Sequence, residues 1–450
     1  MMTRRSLSAS PSPRSPKRPK LEHLTSEDFK NGVFLAPMVR SGALPTRLIA
    51  LQHGATLVWG PEIVDKAILH AKREVDPSTG VISYNGVSRA IFATHPIEKP
   101  YLIYQIGSAD PELAVQAAKT VMQDISGIDL NCGCPKPFST HAGMGAALLT
   151  NPDLLCSILK ALREAMPLEI TVSVKIRLLP SQEDTLKLVE RIIDTGVSAL
   201  TVHCRTRNMR DRDAALIERL REIVDFVNGM GKGVAVVENG DCQGWEDAKR
   251  VREVTGAHSV MIARAAESNP TCFSPTPMVD LEKILWPKYL RLAKHLDNWW
   301  GLTKFCLAQF KGSYVTMKKS EATQLRNKLS QAKNFEDLSD LVDNSWTGEE
   351  VFREIVQSIE SRPPREHRLI MPSQKAVPLE SDDAASLAKS ICGSPYGSPG
   401  SEPGMITPIG TENPEPPGSG APLLPDEQRR PLPSMITGHN AVTPTPTPSC

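Results

Sequence analysis

Apolar residues recur along this chain in two alternating rhythms. Short runs rich in aliphatic residues fall at 33–38, 56–60, 101–107, 127–131, 170–177, 199–203, 234–239 and 259–263. Between most of them the apolar spacing relaxes to three or four residues, over 111–122, 153–165, 182–195, 215–227 and 245–254. That spacing places side chains on one face of a helix. Strands that alternate with helices make βα units, whose strands pair in parallel. Eight such units in about 240 residues predict an α/β fold of the closed (β/α)8 TIM-barrel type. Past the last unit the rhythm is helical. The segment 281–310 gathers Trp286, Tyr289, Trp299, Trp300, Phe305 and Phe310, and 321–359 continues at helical spacing. This pattern predicts the core of a small all-helical domain.

Both ends of the chain break these rhythms. Residues 1–27 are expected to be a disordered basic tail, 28–275 the barrel, 276–362 the helical domain, and 363–450 a disordered tail dominated by Pro, Ser and Thr. The N-terminal stretch has no apolar core of a secretory signal, and Pro11, Pro13, Pro16 and Pro19 oppose the amphipathic helix of a transit peptide. Lys17, Arg18 and Lys20 read either as a short nuclear-localisation patch or as part of a plain basic tail. Cytoplasm or nucleus is therefore the expected compartment.

Composition narrows the classes further. With 450 residues and 40% hydrophobic content the chain can bury a large core. The formal net charge is +1, so affinity for nucleic acid must come from local patches. No apolar run approaches the roughly 18 residues of a membrane helix, and no membrane association is expected. Nine scattered cysteines without a C-x-x-C pair suit a reducing compartment and argue against a disulfide framework or a metal site.

In a barrel of this type the chemistry sits at the C-terminal strand ends. Those ends carry Pro37 and Met38, then Glu62, Gln105, Asn131 with Cys134, Lys175 with Arg177, His203 with Arg205, Asn239, and Arg264. Singly each has a bland explanation, such as a satisfied polar residue or a cation reaching the rim. Together they predict one polar mouth. The stretch 127–149, GIDLNCGCPKPFSTHAGMGAALL, ends its strand in a turn that holds Cys132 and Cys134. If the chain stays extended, alternation points both thiols the same way and does not separate them. After the seventh and eighth strands, Asn239 with Gly240 and Ala263 with Arg264 fall where barrels commonly bind phosphate, which suggests a phosphorylated cofactor. Arg205, Arg207, Arg210 and Arg212 form a patch suited either to a polyanion or to plain solvation.

Taken in order, LAPMVRSGALPTR, QIGS, DLNCGCPK with AGMGAALL, VSVKIRL, TVHCRTR, VENGD and SVMIARAA resemble the tRNA-dihydrouridine synthase family over about 34–310. STHAGMGAALL, IRLLPSQEDT and MIARAAESNP are most similar to the eukaryotic, fungal-type branch acting on the D-loop near position 20. The resemblance implies FMN in the barrel mouth and NADPH or NADH as reductant. It implies that Pro37 and Met38 line the flavin ring, that Gln105 and Lys175 meet its polar edge, and that His203 also holds the cofactor. Asn239, Gly240, Ala263 and Arg264 would take the ribityl phosphate, and Cys134 matches the family's catalytic cysteine. Cys132 stands where the family often has Met, and His141 where some members have Lys.

Reducing the C5–C6 bond of uracil requires a hydride at C6 and a proton at C5. A thiol with a pKa of about 8.5 is mostly protonated at neutral pH and can deliver that proton. Asn131, Arg177, Arg205 and Arg207 are the candidate substrate contacts, with arginines such as Arg205 and Arg207 expected to grip phosphates beside a turned-out base. The expected partner is tRNA and the expected state a monomer. Three rivals remain: a flavin dehydrogenase of free dihydropyrimidines, a Schiff-base lyase built on Lys175, and a non-catalytic tRNA-binding protein.

Overall fold

A computed structural model of the chain describes residues 23–312 and 317–363. Of the tails expected at 1–27 and 363–450, residues 1–22, with the basic cluster at Lys17, and 364–450 lie outside the described residues. All described residues belong to one compact unit.

Eight parallel strands close into a barrel. They are β1 Val33–Leu35, β2 Leu57–Trp59, β3 Leu102–Gly107, β4 Gly127–Cys132, β5 Thr171–Leu178, β6 Ala199–Thr206, β7 Ala235–Asn239 and β8 Ser259–Ile262. Each pairs with the next in sequence, and β1 closes the ring on β8 through Val33↔Val260 and Leu35↔Ile262. The expected strands match these closely, as do the helices Pro111–Val121, Pro152–Ala165, Gln182–Ile193, Glu218–Gly229 and Trp245–Thr255.

Period-two alternation divides the side chains into two layers. Phe34, Trp59, Ile103, Ala199, Val237 and Met261 fill the barrel interior. Ile128, Leu130, Val172, Val174, Leu200, Val202 and Val236 face outward into the core shared with the helices. Leu24 and Phe29 join the interior cluster, and Phe29 meets the Trp59 ring edge-on at 6.1 Å. Packed chain therefore begins before residue 28, within the segment expected to be a disordered tail. The reason is that Leu24 and Phe29 are buried in the interior core.

Two additions surround the barrel. Between β2 and β3 lies a three-stranded antiparallel sheet, Lys72–Val75, Ile82–Asn85 and Ala90–Thr94, which the apolar pattern did not predict. Its Phe92 packs on Tyr104 at 5.1 Å. Arg47, on the helix Leu44–Gln52, ties this sheet down: its guanidinium donates to both Glu98 carboxylate oxygens and to the carbonyls of Gly42 and Ala93. Neither charged partner is exposed beyond 1%. The C-terminal helices Trp286–His295, Trp300–Gln309, Lys319–Gln331 and Gly348–Glu360 follow. They dock on Leu44–Gln52, where Thr46 Oγ1 and Tyr289 OH lie 2.9 Å apart and Ser358 Oγ donates to the Gln52 carbonyl.

Candidate active site

Alternation along the strands decides which polar groups reach the barrel mouth. Gln105, Asp129, Asn131, Ser173, Lys175, Thr201, His203 and Asn239 occupy the inward positions of β3 to β7, one or two residues beyond the apolar interior. Their hydrogen bonds form a network across neighbouring strands. Gln105 Nε2 donates to Asp129 Oδ2 at 2.8 Å, Ser173 Oγ donates to Asp129 Oδ1 at 2.7 Å, and Lys175 Nζ donates to Asn239 Oδ1 at 2.7 Å. Asn239 Nδ2 in turn donates to the Met261 carbonyl. Pro37 and Met38, partly buried, leave β1 at the same end.

The cysteine turn is built by Asn131. Its Oδ1 accepts the backbone N–H groups of Gly133 at 2.8 Å and Cys134 at 3.1 Å, an Asx turn that bends the chain off the strand. This bend separates the two thiols that an extended chain would have kept together. Cys132 ends β4 facing outward and is fully buried in the helix-side core. Cys134 lies half-buried in the turn, with the Glu62 carboxyl against it and against Asn131. Gly145, at φ +59°, is required here: a side chain would meet the Cys134 carbonyl at 2.7 Å.

The electrostatics sort the groups by protonation. Burial, and then the Glu62 carboxylate, push the Cys134 thiol up, so it is a protonated acid at neutral pH. Burial pushes Glu62 itself up. Burial and the neighbouring Arg177 bring Lys175 down to about 8, which leaves it mainly cationic at pH 7. Burial, then Lys175 and Arg177, hold His203 far below the ordinary imidazole range, so its ring is neutral. Asp129, fully buried, is raised to about 6.

Two expected substrate arginines are placed differently. Arg177 is 9% exposed and donates to the Gly133 carbonyl at 2.7 Å and the Thr206 carbonyl at 3.0 Å. It clamps the cysteine turn to the end of β6 and does not project toward a partner. Arg205 is 4% exposed and forms a two-bond pair with Asp241 at 2.6 and 2.7 Å, with a further bond to the Asp213 carbonyl. Nη2 makes both bonds to Asp241 while Nη1 faces the His203 ring at 3.4 Å, which holds Arg205 at the cleft that Arg264 also lines. Arg207, Arg210 and Arg212 are exposed and remain as the outward patch.

The candidate phosphate residues come together. Arg264, half exposed, donates to Asp241 and to the Asp211 carbonyl beside a cleft of about 430 Å³ that Arg212, Gln243 and Ser268 also line. Ala263 begins the short helix Arg264–Ser268. Gly240 owes its small size to Glu238 and Ala215, which leave no room for a Cβ. Asp241, although partly desolvated, is held below the usual carboxylate range by Arg205 and the Ala215 amide. Sequence reasoning missed Asp129, Ser173 and Thr201. The signal was present for Asp129, two residues before Asn131 and therefore on the same face of β4.

Comparison with known proteins agrees with this architecture. The dihydrouridine synthase (Dus) family model matches residues 34–363. A tRNA-dihydrouridine(20) synthase (NAD(P)+) of Schizosaccharomyces pombe is 48% identical over 318 residues, covering 69% of this chain and 64% of that protein. A protein of the same name from Saccharomyces cerevisiae is 41% identical over 301 residues, covering 62% and 77%. A tRNA-dihydrouridine(20a/20b) synthase (NAD(P)+) of Saccharomyces cerevisiae is 31% identical over 238 residues, covering 53% and 60%. The chain thus spans somewhat under two thirds of the length of the fission-yeast relative. Because the family match begins in β1 and runs through the cysteine turn, the loops after β7 and β8 and the C-terminal helices, covering well over half of the chain, this chain belongs to the dihydrouridine synthase family.

Proposed function

We propose that the protein reduces the C5–C6 double bond of a D-loop uridine of tRNA, uridine 20, to dihydrouridine. FMN is the proposed cofactor, and NADPH or NADH the reductant. The observation that carries this reading is a protonated, half-buried thiol, Cys134, held at the mouth that also presents Lys175, His203 and Gln105. The names borne by the two fungal relatives at 48% and 41% identity support the substrate.

The residues present suit a flavin mononucleotide. Lys175 is a buried amine whose hydrogen-bond partner is the neutral Asn239 amide, and it forms no ion pair among the described residues. Such a cation favours an anionic ring edge. The buried Thr201 Oγ1 has no hydrogen-bond partner among the described residues, so the inner mouth has polar capacity to spare. Arg264 and the 430 Å³ cleft suit a phosphate. Bound FMN would supply the hydride that C6 of uracil receives, drawn in turn from NADPH or NADH.

The chain's own residues do the rest. Cys134 Sγ holds the proton that C5 requires and gives it up as negative charge develops there. Asn131 fixes the turn that carries that thiol, and Arg177 clamps the same turn from β5. Lys175 offsets negative charge at the ring edge. Neutral His203 adds a hydrogen-bonding ring to the mouth without adding charge. Arg207, Arg210 and Arg212 bind the tRNA backbone outside it.

The test is to incubate the protein with FMN, NADPH and either unmodified tRNA or free uracil, and to look for the gain of two hydrogens by mass spectrometry. Dihydrouridine at one D-loop position of tRNA, with free uracil unchanged, is the expected result. Reduction of free uracil alone would instead support a dehydrogenase of free pyrimidines.

A further inference from the structure

Asp129 and Gln105 sit directly across from one another on β4 and β3. Both are buried, Asp129 at 0% exposure and Gln105 at 2%. Both carboxylate oxygens of Asp129 are engaged, Oδ1 by the Ser173 hydroxyl and Oδ2 by Gln105 Nε2. A primary amide has one donating and one accepting end, whereas an ionised carboxylate can only accept. Chemistry therefore decides the Gln105 orientation: its amino group must face Asp129, and its carbonyl Oε1 is left as the acceptor.

We propose that Asp129 is a positioning residue that locks the Gln105 amide, so that Oε1 is a fixed acceptor for an imide N–H of the ring bound in the mouth. The inference rests on the flavin reading given above. An imide N–H, flanked by two carbonyls, is carried both by the isoalloxazine ring and by uracil. Two arms of the experiment separate these sources.

Asp129→Asn keeps the shape and removes the lock. An amide donates at one end and accepts at the other, and the Ser173 hydroxyl can either donate or accept, so the new side chain no longer holds Gln105 one way. Wherever the new amino group faces Gln105, Gln105 turns its own carbonyl inward and presents its amino group to the imide, donor against donor. In the first arm, apoprotein is titrated with FMN and with FMN methylated at the imide nitrogen, following flavin fluorescence. Wild type should prefer FMN by about tenfold, the worth of one hydrogen bond. Asp129→Asn should weaken FMN binding by about tenfold and lose the preference. Ser173→Ala, which leaves the carboxylate in place, should keep it. In the second arm, flavin-loaded protein is titrated with 1-methyluracil and 1,3-dimethyluracil. Loss of discrimination only there would assign the acceptor to uracil.

A measurement on unmutated protein guards against misfolding of the variant. Asp129 faces Gln105, Ser173, Trp59 and the Lys175 cation, with the Cys132 thiol next to it on β4. It is raised to about 6 by burial, so lowering the pH below that value protonates it and frees the amide to turn. The preference of wild type for FMN over its methylated form should fall between pH 7 and pH 5. If flavin binds but discrimination is unchanged in Asp129→Asn in both arms, or is flat with pH, the positioning role is wrong. If wild type binds neither flavin, the flavin reading fails and this inference fails with it.

Discussion

Cys132 and Cys134 differ by one bend. Asn131 accepts two successive backbone N–H groups and turns the chain, so the first thiol stays in the packed core and the second reaches the mouth. Alternation alone could not reveal this, because the Asx turn is a tertiary choice among several that an Asn-Cys-Gly-Cys sequence permits. The expected consequence is chemical selectivity: iodoacetamide should modify Cys134 in native protein and leave Cys132 untouched, as peptide mass mapping would show. Modification of Cys132 first would contradict the described burial. Glu238 offers a second test at this scale. Its carboxyl is buried on the outward face of β7, both oxygens lack hydrogen-bond partners among the described residues, and burial raises it to about 8. A raised acid binds more protons in the folded than in the unfolded state between about 4.5 and 8, so its contribution to stability is full below that window and is lost as pH rises through it. Each pKa unit is worth roughly 1.4 kcal/mol. Glu238→Gln should remove that slope, and urea unfolding at pH 5 and pH 8 would measure it. An identical slope in wild type and variant would show that Glu238 does not titrate in this way.

At the scale of elements, the strands that were legible are those that alternate between two buried layers. The sheet formed by Lys72–Val75, Ile82–Asn85 and Ala90–Thr94 was not legible, because its first strand is exposed at all four positions and carries no apolar rhythm. What secures that region is the Arg47–Glu98 pair, joined across 51 positions of sequence by groups whose charges are fully desolvated. Removing one partner strands the other charge in the interior, at a cost of about 3–5 kcal/mol. Glu98→Ala should show that loss in denaturant unfolding, and a change under about 1 kcal/mol would mean that Arg47 finds another partner. The loop after β6 was legible as a basic patch but not in its division of labour. Only a folded structure shows that Arg205 turns inward to Asp241 while Arg207, Arg210 and Arg212 stay outside. Replacing the three outer arginines with Gln should weaken tRNA binding and flatten its salt dependence, by roughly one unit of slope for each phosphate no longer neutralised. An unchanged slope would take this loop out of the RNA interface.

The whole molecule follows from a repeated local rule. Eight βα units specify a parallel ring, and β1 to β8 close it by the same register logic that joins neighbours. The polar mouth then arises because the inward residues near the C-terminal strand ends, Gln105, Asn131, Lys175, His203 and Asn239, are polar where those deeper in the barrel are apolar. Strand ends located most of the mouth from the sequence. Deeper partners such as Asp129 were obscured because a charged residue inside an apolar run reads as an interruption until its neighbours on β3 and β5 are known. The C-terminal helices extend this frame by docking on Leu44–Gln52.

The central claim is that this barrel delivers a proton from Cys134 to a tRNA uridine. Its most direct test is a pair of stopped-flow half-reactions on flavin-loaded protein. Reduction by NADPH should proceed at the same rate in wild type and Cys134→Ala, because that half needs no thiol. Reoxidation by unmodified tRNA should be slower by roughly 10² to 10⁴-fold in Cys134→Ala, the loss expected for a positioned general acid, and near normal in Cys132→Ala. Full-rate reoxidation of Cys134→Ala by tRNA, or no reoxidation of wild type by tRNA at all, would contradict the account.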